Sequence, residues 1–286
     1  MITLLAPAKI NLTLEVLSKR PDGYHEIRSV IQAINLADTL RFSSGRNVEF
    51  RCDMPGWIPE ESLVSRAVSL LQETTGCTRG TIVEIDKRIP LMSGLGGDSS
   101  DAAAVLKGLN GLWELGLSRT ELLDMVPQLG SDVAFFLYGG TALVEGRGET
   151  VTPLPLIPHR WVVLVVPTVG RKAGKTKRLY NSLDFAHFSD GQITERLVAI
   201  LRAASEFTSS LLFNTFENVT FDRSSELDDY RSHIMKIGAR NIHLAGSGPA
   251  LFTLIKDRAE AEDLHIRLQQ QGMETYLTDT VSTVQR

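Results

Sequence analysis

The chain has 286 residues, 43% of them hydrophobic, and a formal net charge of −4 at pH 7. This length is enough to bury a large core and indicates two domains rather than one. The slight negative charge, without aromatic residues interleaved among basic ones, argues against a nucleic-acid partner. Two cysteines, Cys52 and Cys77, cannot form a disulfide framework and lack metal-ligand spacing. We therefore expect reduced thiols in a cytoplasmic protein.

The first half of the chain alternates between predicted strands and helices. No basic segment precedes Ile2–Ala6 and no apolar run approaches the ~20 residues of a membrane span, so we expect neither a signal peptide nor a membrane partner. Alternating or continuous apolar residues predict strands at Ile2–Ala6, Ile10–Leu17, Ser29–Leu36, Asp38–Phe42, Val48–Cys52 and Gly80–Asp86. Helical spacing, a stop at Gly76 and a capping box at Ser118–Glu121 predict helices over Glu60–Thr75, Ser99–Leu112 and from Ser118 to about Gln128.

A proline-rich segment, Leu154–Pro158, predicts a boundary between domains at 1–156 and 157–286. The apolar run Arg160–Val166 predicts a buried strand. Further helices are predicted at about 191–206, 225–237 and 258–271, and strands around 243–255 and 274–284. The segment 170–178 carries five basic residues, which form either a solvated face or the lining of a site for an anion.

The most informative segment is Pro90–Ala104. It places Gly94, Gly96, Gly97, Ser99 and Ser100 just before an alanine-rich run. Backbone N–H groups of such a loop, together with the positive end of a helix, bind phosphate. The segment lacks the third glycine of a dinucleotide fingerprint and the Gly-Lys-Ser/Thr of a P-loop, which argues against both. A purely structural turn stays open as an alternative.

Three other segments carry candidate chemistry. Lys9 and Asn11 lie on one side of a predicted strand, opposite Ile10. Asp132 follows a glycine directly before an apolar run, and Ala245–Phe252 forms a second glycine-rich turn between apolar runs. Each has an ordinary structural reading as well: an edge lysine in solvent, a helix N-cap, and a tight turn.

Taken in this order, Pro7–Leu12, Pro90–Ala104, Gly130–Val133 and Ala245–Phe252 resemble the motifs of the GHMP kinase superfamily over nearly the full length. The resemblance implies an α+β fold of two domains. The first is an N-terminal ATP-binding and catalytic domain of ribosomal-protein-like α/β type, and the second is a ferredoxin-like α+β domain. Arg20–Glu26 and Asp86–Pro90 narrow the resemblance to members that act on a cytidine-diphosphate substrate.

The reaction implied by the resemblance is ATP-dependent phosphorylation of the 2-hydroxyl of 4-diphosphocytidyl-2-C-methyl-D-erythritol. It belongs to the non-mevalonate (methylerythritol phosphate) pathway to isoprenoid precursors. Mg²⁺ is expected with ATP, and a monomer or weak homodimer is expected. Asp132 would accept or orient the proton of the hydroxyl, and Lys9 would keep Asp132 ionised and neutralise phosphoryl charge.

Binding roles carry over by the same resemblance. ATP would be held by Pro90, Gly94, Leu95, Gly96, Gly97, Ser99 and Ser100. Tyr24 would offer a stacking face to cytosine and His25 a hydrogen-bonding partner, while Asn11 would face the methylerythritol end of the substrate.

Three features depart from the family pattern. Asp98 stands where a third glycine is usual, and an acidic side chain there should repel ATP unless it points outward or helps hold Mg²⁺. Ser62 replaces the Asn that often opens the helix near the adenine pocket. The basic segment 170–178 departs as well, since the family usually has an uncharged Ser-Thr-Ala segment there.

Alternative functions can be weighed on the same residues. A homoserine or mevalonate-type kinase is the alternative within enzymes, and Asp22–His25 argues against it because neither substrate needs a pyrimidine-stacking turn. A non-catalytic descendant that binds a nucleotide or sugar as a sensor is an alternative of another class. Intact Lys9, Asp132 and loop glycines argue against that decay.

Overall fold

The structure is a computed structural model that describes residues 1–169, 174–221 and 225–281. The strands are β1 (Ile2–Lys19), β2 (His25–Gly45), β3 (Val48–Cys52), β4 (Gly80–Asp86), β5 (Thr141–Gly146), β6 (Thr150–Leu154), β7 (Trp161–Val165), β8 (Phe213–Asn214), β9 (His243–Leu244), β10 (Leu251–Ile255) and β11 (Thr275–Asp279). The helices are α1 (Leu63–Thr75), α2 (Gly97–Leu112), α3 (Arg119–Met125), α4 (Ser131–Tyr138), α5 (Lys175–Ser182), α6 (Gln192–Arg202), α7 (Glu217–Thr220), α8 (Glu226–Ile237) and α9 (Arg258–Gln270).

Most predicted elements are confirmed, and the first four strands merge into two. β1 runs without a break from Ile2 to Lys19, and β2 from His25 to Gly45. The predicted interruption before Asp38 is absent because the Asp38 carboxylate is buried and accepts backbone N–H groups from Arg88 and Ile89. A polar side chain whose hydrogen bonds are satisfied does not end a strand.

The elements that the sequence prediction missed include β6, α5, β8 and α7, of which β8 and α7 are only two and four residues long. β6 overlaps the start of the proline-rich segment and, within the described residues, pairs only with β5, so it is an edge strand. Pro153 is tolerated there because an edge strand leaves one row of N–H groups unpaired. α5 begins inside the basic stretch, where the many charged residues obscured the amphipathic pattern of a short helix. Arg171 and Lys172, also singled out there, lie outside the described residues.

The chain divides into two compact units. Unit 1 comprises Met1–Ala8, Leu36–Leu91 and Gly96–Tyr138. In it, β3 pairs in parallel with β4, and β4 pairs antiparallel with Thr39–Gly45 of β2. Helix α2 packs against both α1 and α4. Gly108 of α2 makes room for the buried ring of Phe42, since a Cβ there would lie only 2.7 Å from Cδ2 of that ring.

Unit 2 comprises Lys9–Asn35, Met92–Leu95 and those residues of Gly139–Arg286 that the structure describes. β8 pairs in parallel with β1, and Ile27–Gln32 of β2 pairs antiparallel with β5, which in turn pairs with β6. A second sheet has the antiparallel order β11-β7-β10-β9. Helices α8 and α9 bury Leu227, Ile234 and Leu264 in the same hydrophobic cluster as this sheet.

Both units combine sheets with helices, which confirms the predicted α+β fold class. The boundary predicted between residues 156 and 157 stays a prediction about family domains. Within the described part of the chain, no helix combines the length and the apolar character that crossing a membrane requires.

Candidate active site

Two glycine-rich turns approach each other closely in unit 2. Gly94 has a φ of +87°, and a Cβ on it would clash with the carbonyl oxygen of Ala245 and lie 2.9 Å from the amide nitrogen of Gly248. The Ala250 N–H donates to the carbonyl of Ser93 at 3.0 Å. Only glycine allows both the left-handed backbone and the close contact. The first half of the predicted phosphate loop is therefore fixed against the second turn.

Lys9 and Asn11 meet at this contact. The Lys9 Nζ donates to Asn11 Oδ1 at 2.8 Å, and Asn11 Nδ2 donates to Ser29 Oγ at 2.9 Å. Both Lys9 and Asn11 are buried, at 5% and 4% exposure. A Cβ on Gly246 would lie 3.0 Å from the Lys9 Nζ and 3.4 Å from Asn11 Oδ1. An edge lysine in solvent does not describe Lys9, whose ammonium is held beside the second glycine turn.

Backbone bonds tie these side chains to the loop. The Lys9 N–H donates to the carbonyl of Leu95 at 2.9 Å. Asn214 Nδ2 donates to the carbonyls of Leu244 and Gly246, at 2.9 and 2.8 Å, which fixes the second turn. Three segments that are separate in the sequence thus form one assembly: Lys9 with Asn11, Gly94 with Leu95, and the turn at 245–250.

The second half of the loop begins α2 in unit 1. Gly96 precedes the helix with a φ of 76°, and the helix starts at Gly97, two residues earlier than predicted. The first N–H groups of a helix have no partner within it and attract anions. Ser99 is half-buried, while the Ser100 hydroxyl is buried without a hydrogen-bond partner in the described ranges. These features fit a nucleotide phosphate.

A buried charge cluster anchors the start of α2. The Lys87 Nζ donates to Asp38 Oδ2 at 2.5 Å and to Asp101 Oδ2 at 2.7 Å, and all three side chains are at most 1% exposed. Asp38 Oδ1 also accepts the N–H groups of Arg88 and Ile89, at 2.5 and 2.8 Å. The cluster holds the segment leading to Pro90, which is itself buried.

The cluster alters the protonation of its members. Burial raises the pKa of Asp101 well above its usual range, because the attraction of Lys87 offsets only part of the desolvation. Burial would lower the pKa of Lys87, but attraction to Asp101 and Asp38 outweighs it and raises that pKa. Sequence analysis did not single out Asp38 or Asp101, since their pairing with Lys87 depends on packing.

Asp98 is hydrogen-bonded to Ser62, which also departs from the family pattern. Its Oδ1 accepts a hydrogen bond from the Ser62 hydroxyl at 2.8 Å, and its Oδ2 accepts the Leu63 N–H at 3.1 Å. Ser62 is the N-cap of α1 and also accepts from the Val64 N–H at 3.0 Å. The exposed Asp98 carboxylate is therefore directed to the positive end of α1, where a negative charge is stabilising.

Asp132 lies in the first turn of α4 in unit 1, half-buried and followed by the buried run Val133–Leu137. A carboxylate in the first turn of a helix is stabilised by the helix dipole. Lys9 belongs to unit 2, so the pairing of Lys9 with Asp132 stays a prediction.

The turn between β1 and β2 presents Tyr24 and His25 differently. Tyr24 is 58% exposed, with the guanidinium of Arg147 4.9 Å from its ring centre. His25 is buried, and its ring stacks on Tyr180 of α5 at 4.9 Å between centres. Burial, with a smaller contribution from the charge of Lys19, lowers the pKa of His25. A neutral imidazole offers one donor and one acceptor to a base edge.

Tyr180 was missed by the sequence analysis. Its ring stacks on that of His25 and makes a T-shaped contact with that of Phe216, at 4.9 Å between ring centres in both pairs. Its signal in the sequence was an aromatic residue shortly after a basic stretch. That signal can be interpreted only once α5 is recognised as a helix.

The comparisons with known proteins agree with this site. The model of the GHMP kinases N terminal domain matches residues 62–140, and that of GHMP kinases C terminal matches residues 192–272. A 4-diphosphocytidyl-2-C-methyl-D-erythritol kinase of Dehalococcoides mccartyi is 50% identical over 98% of this chain and 99% of its own. The crystal structure of a 4-(cytidine 5'-diphospho)-2C-methyl-D-erythritol kinase is 30% identical, has a TM-score of 0.83, and is matched over 99% of this chain and 100% of its own.

A homoserine kinase structure from Cytophaga hutchinsonii, 20% identical with a TM-score of 0.67 over 100% of this chain and 95% of its own, shares the fold. Fold and glycine turns together define a two-domain kinase of the GHMP type. Within that superfamily, the chain belongs to the family of 4-diphosphocytidyl-2-C-methyl-D-erythritol kinases.

The buried cluster yields a stability prediction. Lys87→Met should lower the free energy of unfolding by about 3 to 5 kcal/mol at pH 7, because two buried carboxylates lose their cation. The loss should shrink at pH 5, where the raised pKa of Asp101 lets the carboxyl bind a proton. Arg88→Met, at an exposed neighbour, should change it by less than about 0.5 kcal/mol. Urea unfolding at both pH values measures this, and equal losses for the two variants would contradict it.

The pairing of Asp98 with Ser62 yields a second prediction. Asp98→Gly and Ser62→Ala should each cost about 1 kcal/mol of stability through the lost cap. The double variant should cost less than the sum, because the two side chains contact each other. The KM for ATP should change little in Asp98→Gly, since the carboxylate is bound to α1. A large fall in that KM would show that Asp98 repels the nucleotide.

Proposed function

We propose that this protein transfers the γ-phosphoryl group of ATP to the 2-hydroxyl of 4-diphosphocytidyl-2-C-methyl-D-erythritol. The observation that supports it most is the buried Lys9 ammonium held by Asn11 beside two interlocked glycine turns. Phosphoryl transfer needs positioning and positive charge more than covalent chemistry. The relative that is 50% identical over 98% of the chain carries the corresponding name.

Within this proposal, Asp132 accepts the proton of the attacking hydroxyl. Lys9 keeps that carboxylate ionised and neutralises charge that develops on the transferring phosphoryl. Asn11 orients the Lys9 ammonium through its Oδ1 and is the candidate contact for the methylerythritol end. General-base assistance of this kind contributes about 10² to 10⁴ in rate.

His25 and Tyr24 are proposed to bind the cytosine. The buried, neutral imidazole of His25 can donate and accept one hydrogen bond each, which suits a base edge. The exposed ring of Tyr24 offers its π-face. Tyr180 fixes the plane of the His25 ring and joins the proposal as its positioning partner.

The kinase family implies ATP as the phosphoryl donor. We propose that its phosphates lie against the N–H groups of Gly94–Ser100, with the buried Ser100 hydroxyl as a further ligand. No group of three or more His, Cys, Asp or Glu side chains suited to hold a metal occurs among the residues that the structure describes. Mg²⁺ typically binds one or two carboxylates plus substrate phosphates, so we propose that it enters with ATP and neutralises phosphate charge there. A cytoplasmic location and a monomeric or weakly dimeric state complete the proposal.

A coupled assay of ADP release tests the substrate. We expect turnover with 4-diphosphocytidyl-2-C-methyl-D-erythritol and none with homoserine or mevalonate, because Tyr24 and His25 have no partner on the latter two. Turnover of either rival in preference, or none with the cytidine compound, would refute the assignment.

The same assay tests the two catalytic candidates. Lys9→Ala and Asp132→Asn should each lower kcat by about 10² or more while the fold is retained. Asp124→Asn, at an exposed carboxylate on α3, is the matched control and should be fully active. Thermal unfolding verifies the fold of each variant. Full activity in either Lys9→Ala or Asp132→Asn would remove that residue from the mechanism.

A further inference from the structure

Among the described basic residues after β7, Lys175 is half-buried and has a buried ammonium group. Lys175 is the first residue of α5, and its Nζ is inaccessible to solvent and without a hydrogen-bond partner in residues 1–169, 174–221 and 225–281. Lys177, two positions further on, is exposed. A buried ammonium that lacks a partner is costly, so the fold sets Lys175 apart from the exposed Lys177 and Arg178.

The packing of α5 explains why this lysine points inward. Leu179 and Tyr180 pack against the hydrophobic core of unit 2. Lys175 precedes Leu179 by four residues, and residues four apart share a helix face. The face that anchors α5 therefore also directs the Lys175 side chain into the protein.

Its ammonium is held beside the second glycine turn. A Cβ on Gly248 would lie 3.1 Å from the Lys175 Nζ. The next residue, Thr176, is hydrogen-bonded through Oγ1 to the Ser247 hydroxyl at 2.8 Å. Two contacts from consecutive residues thus fix the beginning of α5 on the turn at 246–248.

The same turn has a second ammonium on it. The Lys9 Nζ lies 3.0 Å from the position of a Cβ on Gly246, as the Lys175 Nζ lies beside Gly248. Burial lowers the pKa of Lys175 to about 8, so the charged form still dominates at pH 7. Two ammonium groups thus lie beside one glycine turn, and that of Lys175 has no hydrogen-bond partner among the described residues. Ammonium groups form strong, charge-assisted hydrogen bonds with oxyanions.

We propose that Lys175 binds a phosphate oxygen of a substrate, as the second cation of the Gly246–Gly248 turn. The inference rests on the proposed kinase function and adds a phosphate-binding residue to it. The oxygen belongs either to the transferring phosphoryl of ATP or to the diphosphate of the acceptor, which offer the same chemistry. The uncharged segment usual at this place in the family would lack this contact.

Steady-state kinetics with each substrate varied in turn test the proposal. Lys175→Met should lower kcat/KM about 10- to 100-fold, a loss typical of one donor to a developing or bound oxyanion. A rise in KM for the acceptor alone would assign Lys175 to the acceptor diphosphate, and a fall in kcat would assign it to the transferring phosphoryl. Lys175→Arg should retain much of the activity because it keeps the charge, and Lys177→Met should match the wild type.

Two kinetic results would overturn the proposal: unchanged constants in Lys175→Met, or an arginine variant as impaired as the methionine variant. Inorganic pyrophosphate supplies a readout that needs no turnover. It should raise the Tm of the wild type and of Lys177→Met, and raise that of Lys175→Met by less. An equal shift in all three, or no shift in the wild type, would also overturn it.

The two proposals can fail separately. A wild type that does not turn over the cytidine substrate would refute the kinase assignment, while the pyrophosphate shifts would still report on Lys175. Without ligand, Lys175→Met should be at least as stable as the wild type, because it removes a buried ammonium that no group in the described part of the chain hydrogen-bonds. A large loss of stability in that variant would show a structural role instead.

Discussion

The candidate site depends on one close backbone contact, that of Gly94 with the turn at Ala245–Ala250. A side chain at Gly94 would clash with the Ala245 carbonyl, and Gly246 and Gly248 leave similarly little room. Backbone that approaches this closely has no side chains in the way of a ligand, and its N–H groups and carbonyls are fixed in direction. Lys9, Asn11 and Lys175 then reach the contact from β1 and α5, so three polar side chains from distant parts of the sequence share one small region of unit 2.

Charge placement follows a consistent logic in both units. The buried ammonium groups of Lys87, Lys9 and Lys175 differ in what they contact: carboxylates, an amide oxygen and, by our proposal, a substrate oxygen. Lys87 lies between Asp38 and Asp101, and Lys9 donates to Asn11. Lys87 has a structural role, because its partners belong to the protein and hold the segment that leads into α2. Lys175 differs in having no partner in the described chain, and an ammonium left unsatisfied by the fold is the one that a ligand can engage.

The sequence was sufficient for the class of protein and for the motifs, but not for their spatial grouping. Alternation placed Lys9 and Asn11 on one side of β1, and glycines marked both turns, because these signals are local. The join of Gly94 to Gly248, the pairing of Lys87 with two aspartates and the stacking of His25 on Tyr180 are contacts between residues far apart in the chain. Helix α5 escaped because its charged residues outnumber its anchors, Leu179 and Tyr180, whose burial is a tertiary effect.

Asp98 and Lys175, which both depart from the family pattern, acquire opposite meanings through their surroundings. Asp98 adds a negative charge to a phosphate loop, yet both of its oxygens are bound at the start of α1, one of them by Ser62, another unusual residue. Its charge is thus met by a helix dipole and a hydroxyl before any nucleotide binds. Lys175 adds a positive charge near the second turn, and its ammonium has no hydrogen-bond partner among the residues that the structure describes. A charge that is hydrogen-bonded within the protein affects stability. A buried charge that is not so bonded is available to bind a ligand. By this reasoning the acidic departure is structural and the basic one functional.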